Sequence, residues 1–139
     1  MGVNWFKKND KMSDKRIIYT EDAPDPIGPY NQAVLANGTL YISGQIAIDP
    51  FSGSIVSGNI TNETEQVMEN LKAILTAAGM TFKNVVKCSI FLSSMDDFAA
   101  VNNVYGKYFG DDAPARETVA VRTLPKNVNV EISAIAVVV

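Results

Sequence analysis

Apolar and polar residues alternate with period two in some stretches of the chain and recur at helical spacing in others. Those switches divide it into elements. Arg16-Ile17-Ile18-Tyr19-Thr20 is a short β-favouring run. The loop after it, Glu21 to Tyr30, is marked by Pro24, Pro26, Gly28 and Pro29. Ala33 to Ala36 leads into Asn37-Gly38, a pair that adopts positive φ cheaply and so predicts a tight hairpin turn. The strand that follows is predicted over Thr39 to Ile48, closed by Asp49-Pro50 and Ser52-Gly53. From Asn62 the period changes. Val67, Leu71, Ile74, Leu75 and Ala78 form one helical stripe, with Asn62 and Glu65 reading as a capping pair and Gly79 as the stop.

Val85 to Leu92 returns to alternation, with Val86, Cys88, Ile90 and Leu92 on one face. A second helix is predicted over Asp96 to Phe109, carrying Phe98, Val101, Tyr105 and Phe109 on its stripe. A strand at Thr118 to Val121, a turn at Leu124 to Asn127 and a long strand from Val128 to Val138 complete the chain. The order is ββαβαββ, an α+β fold in which two helices cover one face of a mixed sheet. With no repeat or linker, residues 13–139 read as a single domain. Residues 1–12 are polar and patternless and read as a flexible N-terminal extension, with Met12 as an alternative start.

The last strand is apolar on both faces toward its end, Ile132, Ala134, Ala136 and Val138 on one and Ile135 and Val137 on the other. Two helices cover only one face, so the second is expected to be buried by another copy of the chain. If Leu40, Ile42, Ile46 and Ile48 face the helices, then Tyr41, Ser43, Gln45 and Ala47 face away. Lys87, Ser89, Phe91, Glu131 and Ser133 join them there. Polar groups on such a face fit either a ligand pocket at a subunit boundary or a wet interface.

Composition narrows the chemistry. The 139 residues contain no histidine and one cysteine, Cys88. That removes Ser-His-Asp triads, Cys-His dyads, histidine zinc sites and disulfide scaffolds, and no metal site is expected. The net charge of -3 and pI of about 4.8 oppose nucleic-acid binding. The one basic cluster, Lys7, Lys8, Lys11, Lys15 and Arg16, is interleaved with Asp10 and Asp14. No stretch reaches the roughly 18 apolar residues of a membrane span, and no signal-peptide core is visible, so a cytoplasmic location is expected.

The remaining candidates are few. Arg116 stands before a predicted strand and offers either a surface ion pair or a planar fork for a carboxylate. Glu131, between Val130 and Ile132, is costly to bury without a partner or a task. The Leu124 to Asn127 turn is expected to pair its flanking strands antiparallel, which brings Arg116 near Glu131 as a site or as a salt bridge, while a slip of one residue would put them on opposite faces. Asn102 lies on the second helix's stripe, where it bonds backbone or meets a ligand. Tyr30 ends the proline-rich loop and either packs or presents its hydroxyl to a cleft. Cys88 reads as an inert core residue.

Gly28-Pro29-Tyr30-Asn31-Gln32-Ala33, Ser43-Gly44-Gln45, Ala77-Ala78-Gly79, Val101-Asn102-Asn103-Val104-Tyr105 and Pro114-Ala115-Arg116 stand here in a telling order. With Leu124-Pro125-Lys126 and Val130-Glu131-Ile132-Ser133-Ala134-Ile135-Ala136-Val137, the set resembles the RidA/YjgF family of reactive-intermediate (enamine/imine) deaminases, also described as the endoribonuclease L-PSP family. The resemblance implies a chorismate-mutase-like fold related to the ferredoxin-like one, and a homotrimer whose sheets face a central barrel, with clefts between subunits. It further implies cofactor-independent hydrolysis of 2-imino acids, the tautomers of enamines such as 2-aminoacrylate, to a 2-oxo acid and ammonia. Carried over by position, Arg116 holds the substrate carboxylate and Glu131 activates water. Tyr30, Ser43, Gly44 and Asn102 line the cleft. Thr118 stands where the family often has cysteine, its backbone still able to serve, and Glu117 adds a negative charge expected to trim affinity for anions. Two other functions remain open, a non-catalytic trimeric ligand-binding protein and a ribonuclease or translation inhibitor.

Overall fold

The computed structural model describes residues 15–139, so the expected extension at 1–12 lies outside the described residues. Six strands form one sheet: β1 (Arg16–Ile18), β2 (Ala33–Ala36), β3 (Thr39–Gln45), β4 (Val85–Leu92), β5 (Ala115–Ala120) and β6 (Val130–Val137). The order is β1-β2-β3-β6-β4-β5, with β4 and β5 parallel and every other pair antiparallel. Helices α1 (Ile60–Ala77) and α2 (Phe98–Phe109) cover one face. This is the α+β architecture the hydrophobic pattern predicts.

β6 lies inside the sheet between β3 and β4, and its alternation sends every second side chain to the helix side. Val130, Ile132, Ala134 and Ala136 are all buried toward the helices. They meet Val67, Leu71 and Ile74 of α1 and Val101 and Val104 of α2 in one core. The hairpin turn is as predicted: Asn37 and Gly38 have φ of 51° and 79°, the doubly left-handed geometry that suits the twist of paired strands. Gly79, at φ 75°, ends α1, and the Met80 N–H donates to the Leu75 carbonyl at 2.8 Å.

Four expectations are corrected. α1 starts earlier than Asn62, because Asn59 is its N-cap and the Asn59 side chain accepts the Asn62 N–H at 2.7 Å. The strand begun at Thr39 does not keep its phase to Ile48. Between the pairs Ile42↔Ala134 and Gln45↔Ile132, β3 advances three residues while β6 advances two, a bulge that reverses the faces beyond it. Gln45 and Ala47 are therefore buried toward the core side, while Ile46 joins Leu124 and Val128 in a second cluster against Phe91 and Ile48. A second bulge lies between Val85 and Lys87, so Val85 takes the core position and Val86 is exposed. Finally, β5 does not pair with β6 across the Leu124 to Asn127 turn. It begins at Ala115, so Arg116 lies inside it, and it runs parallel to β4, which separates the two.

Buried amides tie the loops to this frame. The Gln32 side chain, 2% exposed, donates to the Thr20, Ala23 and Pro24 carbonyls at 3.0, 3.3 and 2.9 Å and accepts the Thr20 N–H at 2.8 Å. Asn70 donates to the Ile46 and Ile48 carbonyls at 3.1 and 3.0 Å, holding the chain after the bulge against α1. Gln32→Leu fills similar space but leaves those backbone groups unpaired. It is expected to cost about 3 kcal/mol, seen as a lower denaturant midpoint at unchanged slope.

Candidate active site

Arg116 sits in β5 opposite Cys88 of β4, which faces the core, so strand alternation sends the guanidinium to the helix side of the sheet. Its Cζ lies 5.0 Å from the centroid of the Tyr105 ring and 5.7 Å from that of Phe98, both on α2. Among the described residues no carboxylate pairs with it, and the ion pair found there joins Lys87 to Glu117 at 3.0 Å. Thr118, two residues on and so on the same face, has a buried hydroxyl without a hydrogen-bond partner. The Tyr105 hydroxyl is also buried and unpartnered, and burial pushes the phenol above its ordinary range. Asn102, half-buried, stands one turn from both Phe98 and Tyr105 on α2.

Glu117 is not part of this group. Alternation turns it to the opposite face, where it accepts a bond from the Ser89 hydroxyl and pairs with Lys87. The Ser89 hydrogen bond and then Lys87 hold its carboxyl below the usual range. The expectation that Glu117 weakens anion binding beside Arg116 is therefore corrected for the site within one chain.

Glu131 belongs to the face that Glu117 occupies. It lies opposite Phe91 of β4, half-buried, and burial pushes its carboxyl above the ordinary 4.5. Among the described residues it has neither a cation nor a hydrogen-bond donor. Gly44, in the β3 bulge, lies directly against it. A Cβ there would meet the carboxylate oxygen and lie 2.9 Å from Cδ and 3.1 Å from Cγ, so only glycine leaves the carboxylate this position. Ser43 closes the same corner, its N–H bonding the Gln32 carbonyl at 2.9 Å and its hydroxyl donating to the Asn31 carbonyl at 2.6 Å. Tyr30 is exposed beside a cleft shared with Gly44 and Ile46, its hydroxyl accepting the Ile27 N–H at 3.2 Å.

The seven candidate residues thus form two groups. Arg116, Thr118 and Asn102 gather at the β5 edge on the helix side. Glu131, Gly44, Ser43 and Tyr30 gather on the far side of the sheet. Cα partners across the ladder run Arg116, Cys88, Ala134 in one row and Val119, Phe91, Glu131 in another. The rows are three residues apart along β4, an odd number, so the two side chains project to opposite faces. The expected contact between Arg116 and Glu131 within one chain does not exist. Phe98 and Tyr105 were legible as neighbours on one helical stripe, but not as the surface under Arg116. Which strand lies beside α2 is a matter of topology.

Comparison with known proteins places these residues in context. A family model described as Endoribonuclease L-PSP matches residues 20–138. A RutC family protein of Pyrococcus horikoshii is 54% identical over 122 residues, spanning 88% of this chain and 97% of its own. A human protein named 2-iminobutanoate/2-iminopropanoate deaminase is 48% identical over 123 residues, 88% of this chain and 90% of its own. Among solved structures, a Rid-family protein of Yersinia pestis superposes with TM-score 0.87 at 46% identity, covering 89% of this chain and 99% of that one. E. coli TdcF with bound serine gives 0.85 at 40%, covering 90% and 100%. With the matched model spanning most of the described residues, the chain belongs to the endoribonuclease L-PSP family, the YjgF/RidA group.

Proposed function

We propose that the protein is a cofactor-independent deaminase that hydrolyses 2-imino acids to 2-oxo acids and ammonia, in a site assembled between copies of the chain. One observation carries the reading: among the described residues a guanidinium without a carboxylate partner and a half-buried carboxylate without a partner lie on opposite faces of one sheet. Each is costly to leave so. A substrate bearing a carboxylate at one end and a centre needing a base at the other satisfies both, provided that a second copy brings its Glu131 face to the Arg116 edge of the first. The outer face is suited to such contact, with Tyr41 51% and Val119 44% exposed. A homotrimer closes a head-to-tail contact of this kind, with three equivalent sites. Human, goat, bovine and mouse relatives bear the deaminase name at 48 to 51% identity, which supports the same reading.

The chemistry follows from the groups. Arg116 takes the substrate carboxylate through two parallel N–H bonds, with the Thr118 hydroxyl and Asn102 at hand for the remaining acceptor positions. A protonated imine is already electrophilic at carbon. Glu131 accepts a proton from water as its oxygen bonds to that carbon and the C=N π pair moves to nitrogen. The protonated Glu131 then delivers that proton to the amine, the C–N bond breaks, and the hydroxyl proton passes to the departing ammonia as the carbonyl forms. Iminium and water thus become 2-oxo acid and ammonium. Positioning with one general base accounts for the acceleration. Tyr30 closes the cleft from the loop that Gln32 anchors. The ribonuclease alternative has less support, because a chain of net charge -3 lacks the electrostatic footprint of a phosphate binder.

Coupling the protein to a dehydratase that releases 2-aminoacrylate, and following pyruvate, tests the activity. Arg116→Ala is expected to lower kcat/KM by about a hundredfold or more, and a variant as active as wild type would refute the assignment. Because the two halves come from different chains, co-expressed Arg116→Ala and Glu131→Ala subunits, each inactive alone, are expected to recover about a quarter of wild-type activity on random mixing. No recovery would refute the composite site. Glu131 must be deprotonated to take a proton, so kcat is expected to rise with pH through a midpoint above 4.5. The same raised value favours the protonated carboxyl in the folded chain, a contribution present below 4.5 and lost as pH rises through the folded value. Glu131→Gln should therefore melt higher than wild type at pH 7, and at the same temperature near pH 4.

A further inference from the structure

Arginines in partly buried sites are ordinarily held by a carboxylate, which fixes the guanidinium and also neutralises it. Arg116 is fixed differently. The Tyr105 and Phe98 rings lie under its Cζ at 5.0 and 5.7 Å. The one acidic residue adjacent to it in sequence, Glu117, is turned to the other face and occupied by Lys87 and Ser89. Both rings project from α2, where their spacing of seven residues puts them two turns apart on one side of the helix. Tyr105 is 5% exposed and packs into the main core, so its ring cannot swing away. Contact with ring faces holds the cation through the ring quadrupole and uses none of the carboxylate acceptors that an ion pair would bring.

We infer that Tyr105 and Phe98 form a positioning platform that holds Arg116 in its binding orientation without spending a carboxylate of its own chain on it, so that its positive charge stays available to the substrate carboxylate. This rests on the reading of Arg116 as the carboxylate anchor. The platform is specific to the ring rather than to the phenol. The Tyr105 hydroxyl has no hydrogen-bond partner, so phenylalanine supplies everything the role requires. A carboxylate in place of either ring would satisfy Arg116 better in the free protein and compete with substrate. The aromatic solution gives up some stability of the empty site in exchange for affinity.

The test separates platform from anchor by binding as well as turnover. A non-reacting 2-oxo acid, 2-oxobutanoate, is titrated calorimetrically into the full-length wild type and into Tyr105→Leu, Phe98→Leu and Tyr105→Phe. The leucine variants are expected to weaken binding by about tenfold and to raise KM by a similar factor, with kcat changed less than about twofold. Tyr105→Phe should retain wild-type affinity within about twofold. In an Arg116→Ala background, Tyr105→Leu should lower kcat/KM no further, because the group it positions is gone. Unchanged affinity in Phe98→Leu and in a folded Tyr105→Leu would overturn the platform, as would an equal loss with and without Arg116, or kcat falling together with affinity. Phe98 is only partly buried, so its variant keeps the question answerable if Tyr105→Leu fails to fold. A wild type that binds no 2-oxo acid, or an Arg116→Ala variant that binds as tightly as wild type, would instead overturn the anchor itself.

Discussion

The parallel pairing of β5 against β4 is the constraint on which the rest of the molecule depends. It inserts β4 between the two charged residues that matter and sets their rows three residues apart on that strand. Sheet alternation has a period of two, so an odd offset sends the two side chains to opposite faces wherever the loops run. An antiparallel hairpin of β5 with β6, which the intervening turn invites, would instead have set Arg116 and Glu131 on one face, four residues apart along the paired strands. The parallel crossover through α2 prevents that. It also puts the helix that follows β4 directly over Arg116, so one connection both separates the charges and supplies the rings on which one of them rests.

Each charge is kept unsatisfied by a different device. For Arg116 it is cation–π contact combined with diversion of the neighbouring carboxylate to Lys87 and Ser89. For Glu131 it is a glycine. The bulge at Gly44 brings backbone against the carboxylate, removes room for any side chain that might donate to it, and leaves burial to raise its pKa. Neither device is a stabilising interaction in the ordinary sense. Both spend part of a stability supplied by the core of β6, α1 and α2, where Leu71, Ile74, Ile132 and Ala136 are at most 1% exposed.

How much of this was legible depends on how local the cause is. The hairpin at Asn37-Gly38, the Gly79 stop, both helices and the inward phase of β6 are dictated by neighbours within a turn or a strand, and they read directly from residue type and period. The bulges did not. Counting by twos from Leu40 carries Ile46 to the helix side, and nothing in Ser43-Gly44-Gln45 announces an extra residue except a glycine with several other possible uses. Asn59 and Asn62 are both capping residues, and only the chain's approach after Gly58 decides between them. For the site, the identity of Arg116 and Glu131 was legible from the burden each places on a strand, whereas their separation was not. Strand adjacency is a long-range property that the turn between two strands does not determine.

That separation changes what assembly does to the chemistry. On the composite-site reading, the outer sheet face is covered when copies meet, and the hydrophobic gain from Tyr41, Val119 and their neighbours offsets the cost of drying Glu131 further. A drier carboxylate is a stronger base toward a water held beside it, provided that Arg116 does not lower its pKa. The substrate sees to this, because its carboxylate neutralises Arg116 on binding. The base is therefore set up by the same event that delivers the iminium to it.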